Sequence, residues 1–206
     1  MWLNIVSMMF DRQRILILSL CVVLTAIFAG CKSSGGLFGQ ADETAEAGEL
    51  VRAANGHLRE ISRLYEKNEG KREELKTAMA ADDAPAVRAI CKDIVDSINS
   101  GKAQADAASE KIDEALARNI NEDYREYLDL KRDALKKQIQ AFEEYRQAAR
   151  KLSAEYDPKD AQARDVVVAD FKQRSESFQK LMQQGRDLSD QANEKAKSVM
   201  QRSNEE

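Results

Sequence analysis

"LARNINEDYREY", residues 116 to 127, decides how many helices this chain makes. Asparagine suits helix ends, so Asn119 and Asn121 mark a place to stop. Glu122 and Asp123 suit the first turn of a new helix, where acidic side chains meet the positive end of the helix dipole. Neither signal forbids a helix from running straight through. Apolar spacing supplies the second argument. Upstream, Val87, Cys91, Ile94, Ile98, Gly101, Ala105, Ala108 and Ile112 follow alternating steps of four and three, which puts them on one narrow helical seam. Continued, those steps land on Ala115, Asn119 and Glu122, out of phase with Tyr124. There a new seam begins: Tyr124, Leu128, Lys131, Leu135, Gln138, Phe142, Tyr145, Ala149, Leu152, Tyr156, with Ile139 beside the polar Gln138. The stripe therefore restarts or rotates at this point.

Two further seams flank this pair. Ala54, Leu58, Ile61, Tyr65, Asn68, Arg72, Leu75 and Met79 form the first; Val167, Phe171, Arg174, Phe178, Leu181, Gly185, Leu188, Ala192, Lys195 and Val199 form the last. Between them lie two marked breaks, Ala81-Asp82-Asp83-Ala84-Pro85 and Tyr156-Asp157-Pro158, each placing aspartate ahead of a proline suited to the first turn of the next helix. Short turns imply antiparallel neighbours. A restart at Asn119–Asn121 gives an up-down bundle of four helices of roughly 35 to 45 residues, about 50 to 65 Å long. A rotation gives three helices, with one central helix of about 70 residues carrying the others on its two halves. The four-helix form buries more of each seam and is the expected arrangement. Composition agrees with an all-α class: 206 residues, 33% charged, 6% aromatic, two prolines and nine glycines.

Acidic and basic residues are interspersed, and the net charge is −4, so there is no basic patch to hold nucleic acid. The N-terminal thirty residues have another purpose. Ile15 to Ala29 is apolar except for Ser19 and Thr25, follows Arg12 and Arg14, and ends on Ala29-Gly30-Cys31, the layout of a secretory signal peptide. The run is shorter than the roughly 20 residues a membrane-spanning helix needs. Phe28-Ala29-Gly30-Cys31 resembles the lipobox of bacterial lipoproteins, although Phe28 stands where leucine is most frequent. The resemblance implies that the Cys31 thiol is the lipid attachment site, receiving diacylglyceryl, and that cleavage precedes Cys31. It also implies that acyl chains such as palmitate hold the protein on a membrane. Lys32, in place of aspartate after the cysteine, implies the outer membrane, facing the periplasm. Two or three acyl chains give the stable anchoring that one cannot. Lys32-Ser33-Ser34-Gly35-Gly36 then reads as a tether reaching about 15 to 20 Å. The expected organisation is a removed signal peptide over residues 1–30, a lipidated flexible tether over 31–41 and a helical bundle over 42–203. Met1, Met8 and Met9 are alternative starts.

Candidate chemistry in the bundle is sparse. His57 is the only histidine, so a His/Cys metal site lacks partners and the Glu-x-x-His pairs of di-iron bundles are absent. No catalytic, cofactor-binding or metal-ligating residue is assigned. Cys91, on the second seam, is expected in the core, with an intermolecular disulfide as the alternative. Glu43, Glu46, Glu49, Glu73 and Glu74 read as solvated helix faces. Tyr124, Tyr145 and Tyr156 lie on a seam, whereas Tyr127 lies one step off it and is free to face a partner. The function expected is a non-enzymatic envelope lipoprotein whose helix surfaces dock a partner protein, self-associate or space the envelope as a structural module. The alternative is a small-molecule or metallocentre carrier, with seam glycines Gly101 and Gly185 leaving room for its cargo.

Overall fold

In this computed structural model, which describes residues 42–205, the chain leaves one helix at Ala117 and enters the next at Glu122. The reasons lie in side chains. Arg125 folds back and donates to the carbonyls of Leu116 (3.0 Å) and Arg118 (3.3 Å), acceptors that a helix end leaves without partners. Asn121 takes an extended conformation and its side chain accepts from the Tyr124 amide at 2.8 Å, an N-cap. Ile120, between them, is tucked into the core. Glu43 then clasps the turn from the start of the first helix: its amide donates to the Asn119 carbonyl at 2.9 Å and its carboxylate accepts from the Asn119 amide at 2.8 Å. The continuous 70-residue helix does not form.

The fold is therefore an all-α, four-helix antiparallel bundle: α1 Thr44–Ala80, α2 Ala84–Leu116, α3 Glu122–Glu155 and α4 Ala161–Glu205. The α1–α2 turn has Schellman geometry, with the Asp83 amide donating to Ala78 (3.0 Å) and the Asp82 amide to Met79 (3.2 Å). Asp82 holds the left-handed position at φ 53°, which aspartate tolerates better than most residues. Asp83 caps α2 by accepting from the Ala86 amide at 3.0 Å, and Pro85 sits in the first turn as expected. The second proline behaves differently. Pro158 lies in a turn outside α4, because Asp157 accepts from the Lys159 amide (2.9 Å) and it is Asp160 that caps α4 through the Ala163 amide (3.0 Å).

All eight residues of the second seam are buried, and α2 and α3 supply most of the core. α1 and α4 bury thinner stripes: Ala47, Ala54, Ile61, Leu75 and Ala78 on one, Val167, Phe178, Gly185 and Ala192 on the other; the Val199 side chain lies outside the described residues. Backbones approach closely between sequence neighbours, α1 with α2, α2 with α3 and α3 with α4. α1 and α4 meet through long side chains at mid-height, where Tyr65 and Arg72 reach Phe178. At one end Lys195 of α4 pairs with Asp123 and Glu126 of α3. At the other, the Tyr156 hydroxyl donates to the Met79 carbonyl (3.1 Å) and Arg164 meets Asp82 (3.5 Å).

Candidate functional site

The waist of the bundle gathers aromatic side chains from three helices. Seam positions bring Tyr65 and Arg72 from α1, Tyr145 from α3, and Phe171 and Phe178 from α4 to one level. Tyr145 lies 5.1 Å from Phe178 and 5.9 Å from Phe171, centroid to centroid, and Tyr65 stacks on Phe178 at 6.4 Å. The Arg72 guanidinium sits 5.2 Å from the centroids of both Tyr145 and Phe178, within cation–π range of two rings at once. Beside it is a cavity of about 30 Å³, walled mainly by Ile61, Leu64, Ile98, Gly101 and Phe142, with Asn68, Glu69 and Ser97 as its other polar residues. This space suits one or two water molecules, far below the roughly 300 Å³ a cofactor-sized ligand fills.

The two seam glycines differ in use. At Gly101 an added Cβ would meet only Phe142 Cε2 at 4.0 Å, so this glycine does leave space. At Gly185 it would meet the Ala134 carbonyl at 3.2 Å and Gln138 Cγ at 3.3 Å, so here the missing side chain lets α3 and α4 touch. No room for cargo exists at that level.

Cations that bridge helices generally find carboxylates. Lys71 meets Asp93 (3.2 Å), Arg174 meets Glu144 (2.9 Å), Lys195 meets Asp123 (2.8 Å), and Arg118 meets Glu43 and Glu46 (3.5 and 3.4 Å). Lys131 instead bonds Asn193 (3.3 Å) and lies 5.6 Å from the Tyr127 centroid; burial pushes its pKa down. Arg72 pairs with no carboxylate among the described residues. Tyr65 and Tyr145 hydroxyls are its polar neighbours.

The residues singled out in the sequence fall as follows. Cys31, the signal peptide and the tether lie outside the described residues. His57 Nδ1 is 2.8 Å from Gln104 Oε1, a link between α1 and α2. Cys91 is fully buried and burial pushes its thiol pKa up to about 12, so it faces core, not a second chain. Tyr127 is buried too, stacked 5.7 Å from Tyr124, so it does not take the option of facing a partner: a second inward-facing column on α3, with Ala134, Ala141 and Ala148, widens the buried face there. Of the carboxylates, Glu43 is a turn clasp, Glu46 joins it on Arg118, and Glu49 and Glu74 pair along α1 with Arg52 and Lys71; Glu73 is exposed. Arg72 was visible in the sequence as a polar residue on an apolar seam, but spacing alone gave no sign that it lacks an acid. Among the described residues no group of three or more potential ligands could hold a metal, and no helix is long and apolar enough to cross a membrane. Comparison with protein-family models, with curated proteins and with solved structures finds no match to this chain.

Proposed function

We propose that this is a non-enzymatic bacterial envelope lipoprotein, anchored through acyl chains on Cys31 and facing the periplasm from the outer membrane, whose bundle acts through its outer helix surfaces on a partner protein or a second copy. The observation that carries the anchor is the position of Cys31, where a 15-residue apolar run gives way to Lys32-Ser33-Ser34-Gly35-Gly36. What supports a surface role is the filled interior. The 30 Å³ cavity is too small to enclose a cofactor, which weighs against the carrier alternative. The N-terminus of α1 shares its end of the bundle with the α2–α3 turn and the end of α4. A tether entering there leaves the other end, with its Asp82–Asp83 and Tyr156–Asp160 turns, about 50 to 55 Å away.

Intact mass of the chain extracted from membranes tests the anchor. The expected species starts at Cys31 and carries an acyl increment, and Cys31→Ser moves the protein out of the membrane fraction. A wild-type chain without that increment refutes the reading. In-cell cross-linking followed by purification then separates a dedicated partner from self-association.

A further inference from the structure

We propose that Leu37 and Phe38, in the stretch that leads into α1, fold back against a notch beside Gly48 and Tyr124, so that only the residues before Leu37 act as tether. Both lie outside the described residues, and the inference does not depend on lipidation of Cys31. Composition sets the pair apart. Between Cys31 and Leu50 they are the only large apolar side chains, set among lysine, serine, glycine, glutamine, alanine, threonine and acidic residues. Leaving such a pair in water forgoes the gain of burying it.

The notch is built from two helices. At Gly48 an added Cβ would meet nothing nearer than the Tyr124 hydroxyl at 4.0 Å, so α1 presents no side chain towards that ring. Tyr124 is partly buried and stacks 5.7 Å from Tyr127, so an aromatic side chain docking beside it extends a column that already exists. Leu50 and Val51, further along α1, are partly buried against the core as well. The chain bends where it enters: the Asp42 carboxylate accepts from the Thr44 amide at 2.9 Å and from the Thr44 hydroxyl at 2.6 Å, an Asx turn. Glu43, bonded to the amide and carbonyl of Asn119, fixes that entrance next to the first turn of α3, where Tyr124 lies. Reach then selects the occupant. Phe38 precedes Asp42 by four residues, up to about 14 Å of extended chain, and Gly48 follows Asp42 by six, about 9 Å along a helix. With the pair seated, Cys31 to Gly36 remain as tether, with a reach of about 12 to 15 Å in place of about 15 to 20 Å.

The test uses the full chain in neutral detergent. Phe38→Trp, made together with Trp2→Phe so that the chain carries a single tryptophan, reports on position 38 by fluorescence. The expected result is emission blue-shifted from that of free tryptophan in water, with acrylamide quenching several-fold weaker than for the free amino acid. Both hold across detergents and protein concentrations. Gly48→Leu fills the notch from α1, and moves the emission back towards that of free tryptophan while circular dichroism shows the helices intact. Independently, Leu37→Ser combined with Phe38→Ser lowers the melting temperature by roughly 2 to 4 °C at unchanged helix content. Emission at the position of free tryptophan overturns the proposal, as does a double-serine chain that melts with wild type. A blue shift that survives Gly48→Leu also overturns it: one that changes with the detergent places the side chain in the micelle, and one that fades on dilution places it against a second copy.

Discussion

Gly101 and Gly185 both lie on seams, on different helices, and their substitution is expected to have opposite signs. At Gly101 a Cβ meets nothing closer than 4.0 Å, so alanine adds buried contact and removes the helix penalty of glycine. Gly101→Ala should stabilise by about 1 kcal/mol and raise the melting temperature by roughly 2 to 4 °C. At Gly185 the Ala134 carbonyl stands 3.2 Å from the added atom and is backbone, so α4 must move off α3. Overpacking of that kind costs about 1 to 3 kcal/mol, enough to outweigh the gain in propensity, and thermal melts should show Gly185→Ala below wild type. Cys91 belongs to the same scale. With its side chain fully buried and its thiol pKa near 12, it should react with a thiol reagent only as fast as the bundle opens, and non-reducing gels should show no Cys91-dependent dimer. The position of Cys91 was legible in the sequence, since its seam is the one of the four without a charged or amide side chain. Burial of Tyr127 was not, because a single seam of threes and fours describes a helix that touches one neighbour, and α3 touches more than one.

At the scale of the element, the four-helix outcome rests on the turn at Asn119–Asn121. Propensity marked the stop and the restart, and the out-of-phase seams marked the rotation, but neither chose between a break and a bend. The choice was made by Glu43, 76 residues away from Asn119 in sequence, and by the Arg125 guanidinium on the exposed carbonyls of α2. Spacing along one helix carries no trace of such contacts. Asn121→Ala removes the α3 cap and should destabilise by about 1 kcal/mol. Glu43→Gln keeps an acceptor for the Asn119 amide and should be milder than Glu43→Ala. Urea midpoints of the three variants check the order, and an Asn121→Ala chain as stable as wild type would mean that Arg125 and Ile120 hold the turn without the cap. The misplaced start of α4 has a similar local origin. Asp157 spends its side chain on an Asx turn with Lys159, so the capping role passes to Asp160, three residues later.

At the scale of the molecule, a core that contains tyrosines and a thiol makes stability depend on alkaline pH. Burial is the leading cause of the raised pKa of Cys91 and Tyr124, each to about 12, and of Tyr127, Tyr145 and Tyr156; at Tyr145 burial outweighs the opposing pull of Arg72. These groups lose their protons at lower pH when unfolded, near their ordinary values of 9.0 for the thiol and 10.0 for the phenols. Their contribution is therefore fully present below about pH 9 and is lost as pH rises toward 12, by up to about 1.4 kcal/mol per unit for each group in its window. Lys131 works the other way. Burial lowers its pKa, so its charged form disfavours the fold at neutral pH and that penalty fades as pH rises. Five groups against one set the sign. Guanidinium midpoints should hold steady from pH 7 to 9 and fall between 9 and 11, with tyrosinate absorbance rising together with the loss of helix. Phenolate appearing while the helix signal stays intact would place the tyrosines in contact with water, and the tight waist around Tyr65, Tyr145 and Phe178 would have to be redrawn.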